Sequence, residues 1–538
     1  MILERLEKQL KEITQKMSQV YPEAVLIEEP PSSVEADFST NLAMQLAKQS
    51  KGNPRELAEQ IKTELQKGEG IEKVEIAGPG FLNISLNDSF YLESLNPHEI
   101  FQTPTPQKIN LEFISANPTG PLHIGNARGG PIGETIGRAL EKIGHTVTRE
   151  FVVNDIGGQA NQFAASVLHF YLQHFGKEST FPEKGYPGQY IQDLAKEIVE
   201  ADGEKYLNLP EGEQKEAMRQ VAIRLMTAKI KTTTEKMGIN FDRFFAQSEL
   251  HENGLSTRIL KELQQNDATL EKDGATWLAS GQLEDDRETV LVKSTGEYTY
   301  FLDDIAYHYD KLVERGFDKA IVLMGANHFG HIPRMKAGLQ AIKINPDRYE
   351  GSLYQQVQLK VDGQAVKMAK REGNFVTADE VLEQVPRDVF SYFLLSKGAE
   401  THLDFDLQLA KDTSEKNPVY YIQYAHARIC SLLELAKEKN LVPAKPGQTE
   451  FAKEERALIA WLDKYNLVIQ EVAETYRTHL FPAYAYELAT RFHHFYAHQR
   501  IITDNIAEST KRLYLCQLTA NTLKDVLSLM NITAFEKM

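Results

Sequence analysis

The residues whose types and spacing could support chemistry lie first in the segment SANPTGPLHIGNARGG, at positions 115–130. His123 and Asn126 can donate hydrogen bonds, and Gly125 between them allows a ligand to approach the backbone closely. An apolar run precedes the segment and a helical pattern near 126–143 follows it, which predicts a turn from a strand to a helix. Free amide groups at the start of a helix favour a phosphate group. An ordinary glycine-rich turn that binds nothing would have the same composition.

A second candidate segment is VDGQAVKMAKREGN, at positions 361–374. Lys367 and Lys370, with Met368 between them, follow a predicted strand on a loop that is bounded by glycines. Two lysines three residues apart can converge on a polyphosphate, because each contributes a compact positive charge. Taken alone, the pattern is more typical of a solvated charged loop.

The elements that must position these two segments form an alternating pattern. From Lys108 onward, strand-like and helical patterns alternate, which is typical of a parallel sheet covered by helices on both faces. A mostly helical stretch at about 155–290 interrupts the alternation. We therefore predict an α/β domain over 108–410 with a helical insertion, and ligands in such folds bind beyond the carboxyl ends of the strands.

Two further units are predicted on either side of this domain. Residues 1–95 contain an amphipathic helix pattern near 2–19 and two short strand-like runs in VEIAGPGFLNISL, which indicates an α+β unit. Residues 415–538 show helical patterns throughout and predict a separate all-α domain.

Composition narrows the class of protein. The 538 residues include 60 Lys and Arg against 76 Asp and Glu, a net charge of −16, which argues against a general nucleic-acid binder and gives no positive support for an RNA partner. Two cysteines, Cys430 and Cys516, are too few for a disulfide framework or a cysteine-based zinc site. No apolar run approaches the roughly 18 residues of a membrane span, and the N-terminus lacks the pattern of a signal peptide, so we expect a cytoplasmic protein.

Together, the two segments resemble the HIGH and KMSKS signatures of the class I aminoacyl-tRNA synthetases. They read HIGN at 123–126, here called the HIGN turn, and KMAKR at 367–371, here called the lysine loop. Asn126 replaces the second histidine and Ala369 replaces a serine. The resemblance implies a Rossmann-like catalytic domain in which the carboxylate of an amino acid attacks the α-phosphate of ATP, with Mg²⁺ accompanying the ATP and no fixed metal site in the protein. The implied ATP-binding residues are His123, Gly125, Asn126, Lys367, Met368 and Lys370.

Several longer segments resemble one family in particular, the bacterial arginyl-tRNA synthetases. They are FISANPTGPLHIGN, REFVVNDIGGQ, YPGQYI, DFSTNLAMQLAK, VEIAGPGFLN and DFDLQLAKDTSEKNPVYYIQYAHARICSLL, and they span nearly the whole chain. The resemblance implies an enzyme that activates arginine with ATP and transfers it to the 3′-terminal ribose of tRNA(Arg). It also implies a monomer, an N-terminal domain that contacts the tRNA, and a C-terminal anticodon-binding domain.

The resemblance further implies an arginine site. Tyr300 and Asp304 match a Tyr-xxx-Asp pair that the family uses on the guanidinium group, and residues four apart share one face of a helix. Without the resemblance, the same pair would suit a packed tyrosine and a solvated aspartate. The position of Gln247 is usually Glu in the family, and the sequence leaves open whether Glu249 compensates. The implied arginine-binding set is Glu112, Asn117, Gln247, Tyr300, Asp304 and His328.

The remaining candidates concern metal and tRNA. His328 and His331 are three residues apart, as some zinc ligands are, but too few other ligand residues lie nearby for a metal site to be expected. In the C-terminal domain most aromatic residues fall at helical spacing, which is typical of a core. The predicted tRNA-binding residues there are Tyr424, Arg428, Arg491 and Arg500.

Three alternatives stay open at this point. A small-molecule nucleotidyltransferase shares the α-phosphate chemistry, but it leaves the 1–95 and 415–538 units without a role. A non-catalytic tRNA-binding relative would be expected to lack His123 or the lysines of the lysine loop, which are present. A class I synthetase for another amino acid is the nearest alternative.

Overall fold

A computed structural model of the protein describes residues 2–17, 19–22, 25–31, 33–95, 100–279, 289–361, 364–365 and 376–538. The N-terminal unit packs helices against a four-stranded antiparallel sheet. Its elements are the helices Ile2–Lys16 (α1), Leu42–Ser50 (α2), Pro54–Leu65 (α3) and Asp88–Ser94 (α4), and the strands Ile27–Glu28 (β1), Phe38–Thr40 (β2), Ile71–Ala77 (β3) and Phe81–Leu86 (β4).

The sheet order in this unit is β1-β2-β4-β3. Leu6 and Leu10 of α1 are fully buried, as the amphipathic pattern predicts. β3 and β4 correspond to the two predicted strand runs, whereas β1 and β2 have no counterpart in the sequence prediction. Strands of two and three residues are too short for an alternation of apolar and polar side chains to be recognised.

The first strand of the α/β domain begins at Lys108. Its strands are Lys108–Glu112 (β5), Thr146–Val153 (β6), Arg243–Ala246 (β7), Thr269–Lys272 (β8), Ala275–Leu278 (β9), Thr289–Val292 (β10), Lys319–Gly325 (β11), Tyr349–Tyr354 (β12), Val357–Val361 (β13), Gln364–Ala365 (β14) and Leu403–Asp406 (β15). Its α-helices are Ile124–Ala127 (α5), Gly129–Lys142 (α6), Gly158–His174 (α7), Gln189–Asp202 (α8), Glu211–Lys236 (α9), Ser248–Glu252 (α10), Leu255–Gln265 (α11), Tyr300–Tyr309 (α12), His331–Ala341 (α13), Ala378–Leu382 (α14), Arg387–Leu395 (α15) and Leu407–Lys411 (α16). A π-helical turn, Asp310–Glu314, extends α12, and 3₁₀ turns occupy Ala326–His328 and Pro346–Arg348.

Five parallel strands form the centre of this domain in the order β12-β11-β5-β6-β7. From β5 the chain proceeds to β6 and β7 on one side, and later returns to β11 and β12 on the other. The strand order therefore reverses between β5 and β11, and the crevice at their carboxyl ends is where open α/β sheets bind ligands. This arrangement agrees with the predicted fold.

The predicted insertion at about 155–290 differs from the structure in two respects. The helices α7, α8 and α9 do interrupt the sheet, but the chain returns at β7, which pairs in parallel with β6. In addition, β8, β9 and β10 form a separate antiparallel sheet. A four-residue edge strand such as β7 has no periodic signal that distinguishes it from the end of a helical stretch.

The C-terminal unit is helical in the described residues, as predicted. Its helices are Pro418–Glu438 (α17), Lys453–Asp463 (α18), Tyr465–Thr475 (α19), Leu480–His498 (α20) and Ile506–Leu529 (α21). Phe492 and Phe495 of α20 are fully buried, in line with the expectation that most aromatic residues here form the core. Over the ranges described, no helix combines the length and the apolar character that a membrane crossing requires.

Candidate active site

The chain leaves β5 through a strained turn. Ile114 and Ser115 have backbone φ angles of 65° and 35°, in the left-handed region that residues with a side chain rarely adopt. The Ser115 hydroxyl donates to Glu112 Oε1 at 3.1 Å and accepts from the Val152 amide at 3.1 Å. The turn is therefore held by β5 and β6 together, and it directs the chain towards the crevice.

His123 caps the first helix after this turn. Its ring Nδ1 accepts a hydrogen bond from the Asn126 amide at 3.2 Å, at the start of α5. Because Nδ1 is the acceptor, a neutral ring carries its hydrogen on Nε2. A Cβ at Gly125 would meet the His123 ring at 3.1 Å, so the glycine lets the ring fold back over the helix end. The local fold thus sets both the orientation and the tautomer of His123.

The segment that follows the lysine loop returns beside the HIGN turn. An antiparallel bridge pairs His123 with Thr377, and the Ile124 amide donates to Val376 O at 3.2 Å. The predicted phosphate-binding side chains of the lysine loop fall outside the described residues: Lys367, Met368 and Lys370. In the described chain, Val376 and Thr377 lie next to the HIGN turn.

Arg128 anchors the other end of the HIGN turn in the protein interior. Its side chain is fully buried, and its guanidinium donates hydrogen bonds of 2.7 to 3.5 Å to five backbone carbonyls. The acceptors belong to Gln355, Lys397, Gly398, Ala399 and Thr401. Burial lowers the pKa of Arg128 to about 10, with Glu400 acting in the opposite direction, so the group stays charged at neutral pH. Sequence reasoning missed this residue.

A cavity opens at the carboxyl ends of β6 and β7. Its polar wall consists of Asn154, Gln247, Tyr300, Asp303, Asp304 and Tyr307. Three of the six predicted arginine-binding residues therefore meet here. Tyr300, the first residue of α12, is 64% exposed at the mouth, and Asp304 follows one helical turn later. The Tyr307 ring stacks on Phe245 with ring centroids 4.4 Å apart.

Asp304 presents its carboxylate to the cavity in surroundings that disfavour its charge. The side chain is 35% exposed, and His331 Nε2 lies 3.3 Å from Oδ2. Desolvation, and then the negative charges of Glu112 and Asp303, raise the pKa of the Asp304 carboxyl well above its usual range. Desolvation also lowers the pKa of His331 to about 4, so its imidazole is neutral at pH 7. A cationic ligand is the partner that would stabilise the ionised form of Asp304.

Gln247 lines this cavity, and Glu249 does not. Glu249 Oε2 accepts from the Arg243 guanidinium at 2.6 Å, and its Oε1 accepts from the Ala246 amide at 3.0 Å. Gln247 Nε2 instead donates to Asp303 Oδ2 at 2.6 Å. Glu249 therefore stabilises the turn between β7 and α10, and the second carboxylate of the cavity is that of Asp303.

The other three predicted arginine-binding residues are not part of the cavity wall. Glu112 Oε2 accepts from the buried Lys311 ammonium at 2.6 Å. Asn117 Oδ1 accepts from Nδ2 of Asn154, a wall residue, at 2.6 Å. His328 is an exposed residue at the end of the 3₁₀ turn after β11. The histidine that contacts Asp304 is His331, which the sequence suggested only as a possible metal ligand.

Metal ligation finds no support in the described part of the chain. No group of three or more His, Cys, Asp or Glu side chains there is arranged to hold a metal ion. His331 is engaged with Asp304 rather than with His328.

Three family models match consecutive parts of the chain. They are the arginyl tRNA synthetase N terminal domain at 4–86, the catalytic domain of tRNA synthetases class I (R) at 93–390, and the DALR anticodon binding domain at 422–538. The chain belongs to the arginyl-tRNA synthetase family. Within it, the arginine–tRNA ligases of Shouchella clausii and Listeria welshimeri are 42% and 41% identical, over 96% of this chain and 94% of each relative. The arginyl-tRNA synthetase structure from Thermus thermophilus, 22% identical, shares the fold with a TM-score of 0.78 over 100% of both chains.

The DALR domain of this arginyl-tRNA synthetase family member comprises α17 to α21. Its helices α17 and α20 carry exposed aromatic side chains. Tyr424, Tyr486 and Tyr496 are 45%, 43% and 39% exposed. The Arg428 guanidinium lies 4.5 Å from the ring centroid of Tyr424 and 5.0 Å from that of Tyr496. We call these four residues the aromatic surface.

The two other predicted tRNA-binding arginines are in different surroundings. Arg491 donates to Glu29 of the N-terminal unit at 2.7 Å and to Glu487 at 2.9 Å, and it lies 4.7 Å from the Trp461 ring centroid. Arg500 is exposed at the end of α20. Arg491 thus connects the C-terminal unit with the N-terminal unit. To bind tRNA, its side chain would have to leave these partners.

Proposed function

We infer that this protein is an arginine–tRNA ligase. It joins arginine to ATP as arginyl-adenylate with release of pyrophosphate, and then transfers arginine to the 3′-terminal ribose of tRNA(Arg). The observation that carries the inference is the cavity with Gln247, Tyr300 and Asp304 at the carboxyl ends of the sheet, in a chain 42% identical to an arginine–tRNA ligase. A guanidinium carries five donors and no acceptor, which matches this set of acceptors.

The HIGN turn contributes the phosphate contacts of the first step. The arginine carboxylate attacks the α-phosphorus of Mg-ATP in line, so catalysis consists of positioning and of stabilising the developing charge. The His123 ring, oriented through Nδ1, donates from Nε2 to a phosphate oxygen. Gly125 lets the nucleotide approach the backbone, and Asn126 supplies a further donor. The hydrogen bond from the Asn126 amide to His123 supports these roles.

The lysine loop acts on the same phosphates from the opposite side. Lys367 and Lys370 neutralise the charge that develops on the pyrophosphate as it leaves, and Met368 belongs to the same ATP-binding set. The bridge between His123 and Thr377 supports this role, because it ties the end of the loop segment to the HIGN turn.

The arginine substrate lies with its guanidinium in the cavity. Asp304 supplies the negative charge, and Gln247 and Tyr300 accept hydrogen bonds. Glu112 and Asn117 act near the α-amino and carboxylate groups of the substrate. For Asn117 this is supported by the hydrogen bond that it accepts from Asn154 in the cavity wall. His328, in the exposed turn after β11, is the remaining residue that the resemblance assigns to a polar contact with the substrate.

Binding of tRNA(Arg) requires surface on both flanking units. The aromatic surface offers rings on which single-stranded bases can stack, with the Arg428 charge between them. Arg500 and, on release from Glu29, Arg491 add phosphate contacts. We further propose that the enzyme acts as a monomer in the cytoplasm.

The exchange of labelled pyrophosphate into ATP tests the first step. We expect exchange that depends on arginine. Measuring it with and without tRNA(Arg) determines whether this step requires the tRNA. Exchange that depends on another amino acid would assign the cavity to a different substrate. Exchange with a small-molecule acid but with no amino acid would favour the nucleotidyltransferase alternative.

A further inference from the structure

Asp303 precedes Asp304 on α12, but its carboxylate has entirely different surroundings. It is 3% exposed and accepts three hydrogen bonds. Oδ1 accepts from the Ser256 hydroxyl at 2.6 Å, and Oδ2 accepts from Gln247 Nε2 at 2.6 Å and from His251 Nε2 at 3.0 Å. These donors come from α11, from the residue after β7 and from α10. Asp303 therefore joins three elements at one wall of the cavity.

This contact determines which way the Gln247 amide faces. A carboxylate can only accept hydrogen bonds, so the amide nitrogen of Gln247 must point to Asp303. The amide oxygen of Gln247 then faces away from Asp303. If the amide were reversed, its NH₂ group would face the donors of a guanidinium and repel them. The orientation of a neutral side chain thus decides whether this wall attracts or rejects arginine.

We propose that Asp303 is a positioning residue that holds the Gln247 oxygen towards the substrate guanidinium and thereby selects a side chain that only donates hydrogen bonds. The inference rests on the proposed function and extends it to a residue that does not itself contact the substrate. It also explains how a neutral glutamine serves at this position. The Asp303 carboxylate accepts from the amide nitrogen at 2.6 Å, so a negative charge lies next to the neutral side chain.

The first test removes the carboxylate. In Asp303→Ala the Gln247 amide is free to reverse, and we expect the arginine KM to rise about tenfold or more, the effect of losing one hydrogen bond to a charged group. The KM for ATP should change less than about twofold. Citrulline, which has a ureido oxygen in place of one guanidinium nitrogen, should become a better inhibitor relative to arginine. A purely structural role would leave the ratio of citrulline KI to arginine KM unchanged, and this result would overturn the proposal.

A second test does not depend on the stability of the alanine variant. Gln247→Glu alone places two carboxylates against each other and should raise the arginine KM. When Gln247→Glu is combined with Asp303→Asn, the carboxylate introduced at position 247 gains an amide donor, so the double variant should bind arginine better than Gln247→Glu alone. If the effects of the two substitutions on the arginine KM are independent of each other, the proposal is contradicted. Asp388→Asn is the matched control, because Asp388 is a buried carboxylate that accepts from Gln423 Nε2 at 3.2 Å and takes no part in the cavity wall.

The same measurements distinguish a failure of the proposed function from a failure of the role of Asp303. If the wild-type protein does not attach arginine to tRNA, the proposed function and the role of Asp303 are both overturned. Wild-type protein that charges arginine, with an Asp303→Ala variant of unchanged arginine KM and citrulline selectivity, would overturn only the role of Asp303.

Discussion

At the scale of single residues, the cavity contains a carboxyl group, that of Asp304, whose surroundings favour its protonated form. The pKa of Asp304 is raised by desolvation and by the charges of Glu112 and Asp303. The sequence predicted that Tyr300 and Asp304 share one face, and the structure places both in one cavity; their contact with arginine stays a prediction. The choice between Gln247 and Glu249, and the part of Asp303, depend on side-chain directions at a turn, which spacing alone does not determine.

Asp304→Asn should raise the arginine KM roughly tenfold or more, because a neutral amide loses the charge-assisted contact with the guanidinium. The KM for ATP should stay close to that of the wild type. In the wild type, Asp304 is ionised above its raised pKa, so the arginine KM should rise as the pH falls through that value. This pH dependence should flatten in the Asn variant, as steady-state aminoacylation across pH would show. An arginine KM that is unaffected by the substitution would remove Asp304 from the binding site.

His123→Ala should lower the rate of adenylate formation by roughly 10²–10³-fold, the usual effect of removing one charge-stabilising donor. Single-turnover formation of arginyl-adenylate measures this directly. His174→Ala, at the exposed end of α7, serves as the control and should behave like the wild type. Near-normal turnover of the His123 variant would contradict its role.

At the scale of elements, the nucleotide crevice depends on how the HIGN turn is held. The turn lies between the strained exit of β5 at Ile114 and the buried Arg128 at the start of α6. The alternating pattern predicted the parallel sheet and the strand-to-helix turn, because these have clear local periodicity. It did not predict β7 as a member of the sheet, and it gave no sign of the carbonyl cluster around Arg128. That cluster combines backbone groups more than 200 residues away in the chain.

Arg128→Met should lower the free energy of unfolding by about 3 kcal/mol or more, because it leaves several buried carbonyls without a donor. Arg128→Lys keeps the charge with three donors and should lie between the methionine variant and the wild type. Denaturant unfolding monitored by circular dichroism provides the comparison. A methionine variant as stable as the wild type would show that the five hydrogen bonds do not hold the turn.

At the scale of the whole molecule, three units are connected by polar contacts between residues far apart in the chain. Arg491 and Lys464 of the C-terminal unit pair with Glu29 of the N-terminal unit at 2.7 and 3.3 Å, and Lys142 of α6 pairs with Asp525 of α21 at 2.7 Å. The sequence predicted the three units from their composition and patterns. It could not predict these contacts, since they have no local signal. The net charge of −16 means that tRNA must bind through limited local surfaces.

Arg428→Ala should raise the tRNA KM about tenfold, because it removes a cation from the aromatic surface on which bases can stack. Arg491→Ala should lower the free energy of unfolding by about 1 kcal/mol, through loss of its contacts with Glu29 and Trp461, and should raise the tRNA KM less than Arg428→Ala does. Aminoacylation at varied tRNA concentration, together with thermal unfolding, measures both effects. An unchanged tRNA KM in Arg428→Ala would remove Arg428 from the tRNA site, and unchanged stability in Arg491→Ala would show that its contacts with Glu29 and Trp461 do not stabilise the fold.

The central claim is tested most directly by aminoacylation of total bacterial tRNA with Mg-ATP, using each of the twenty amino acids in turn. The account predicts that arginine alone is joined to tRNA, and that Asp304→Asn loses this activity at low arginine concentration. Charging with a different amino acid would contradict the assignment of the cavity. Absence of charging with every amino acid, in a protein that still binds ATP, would contradict the proposed reaction.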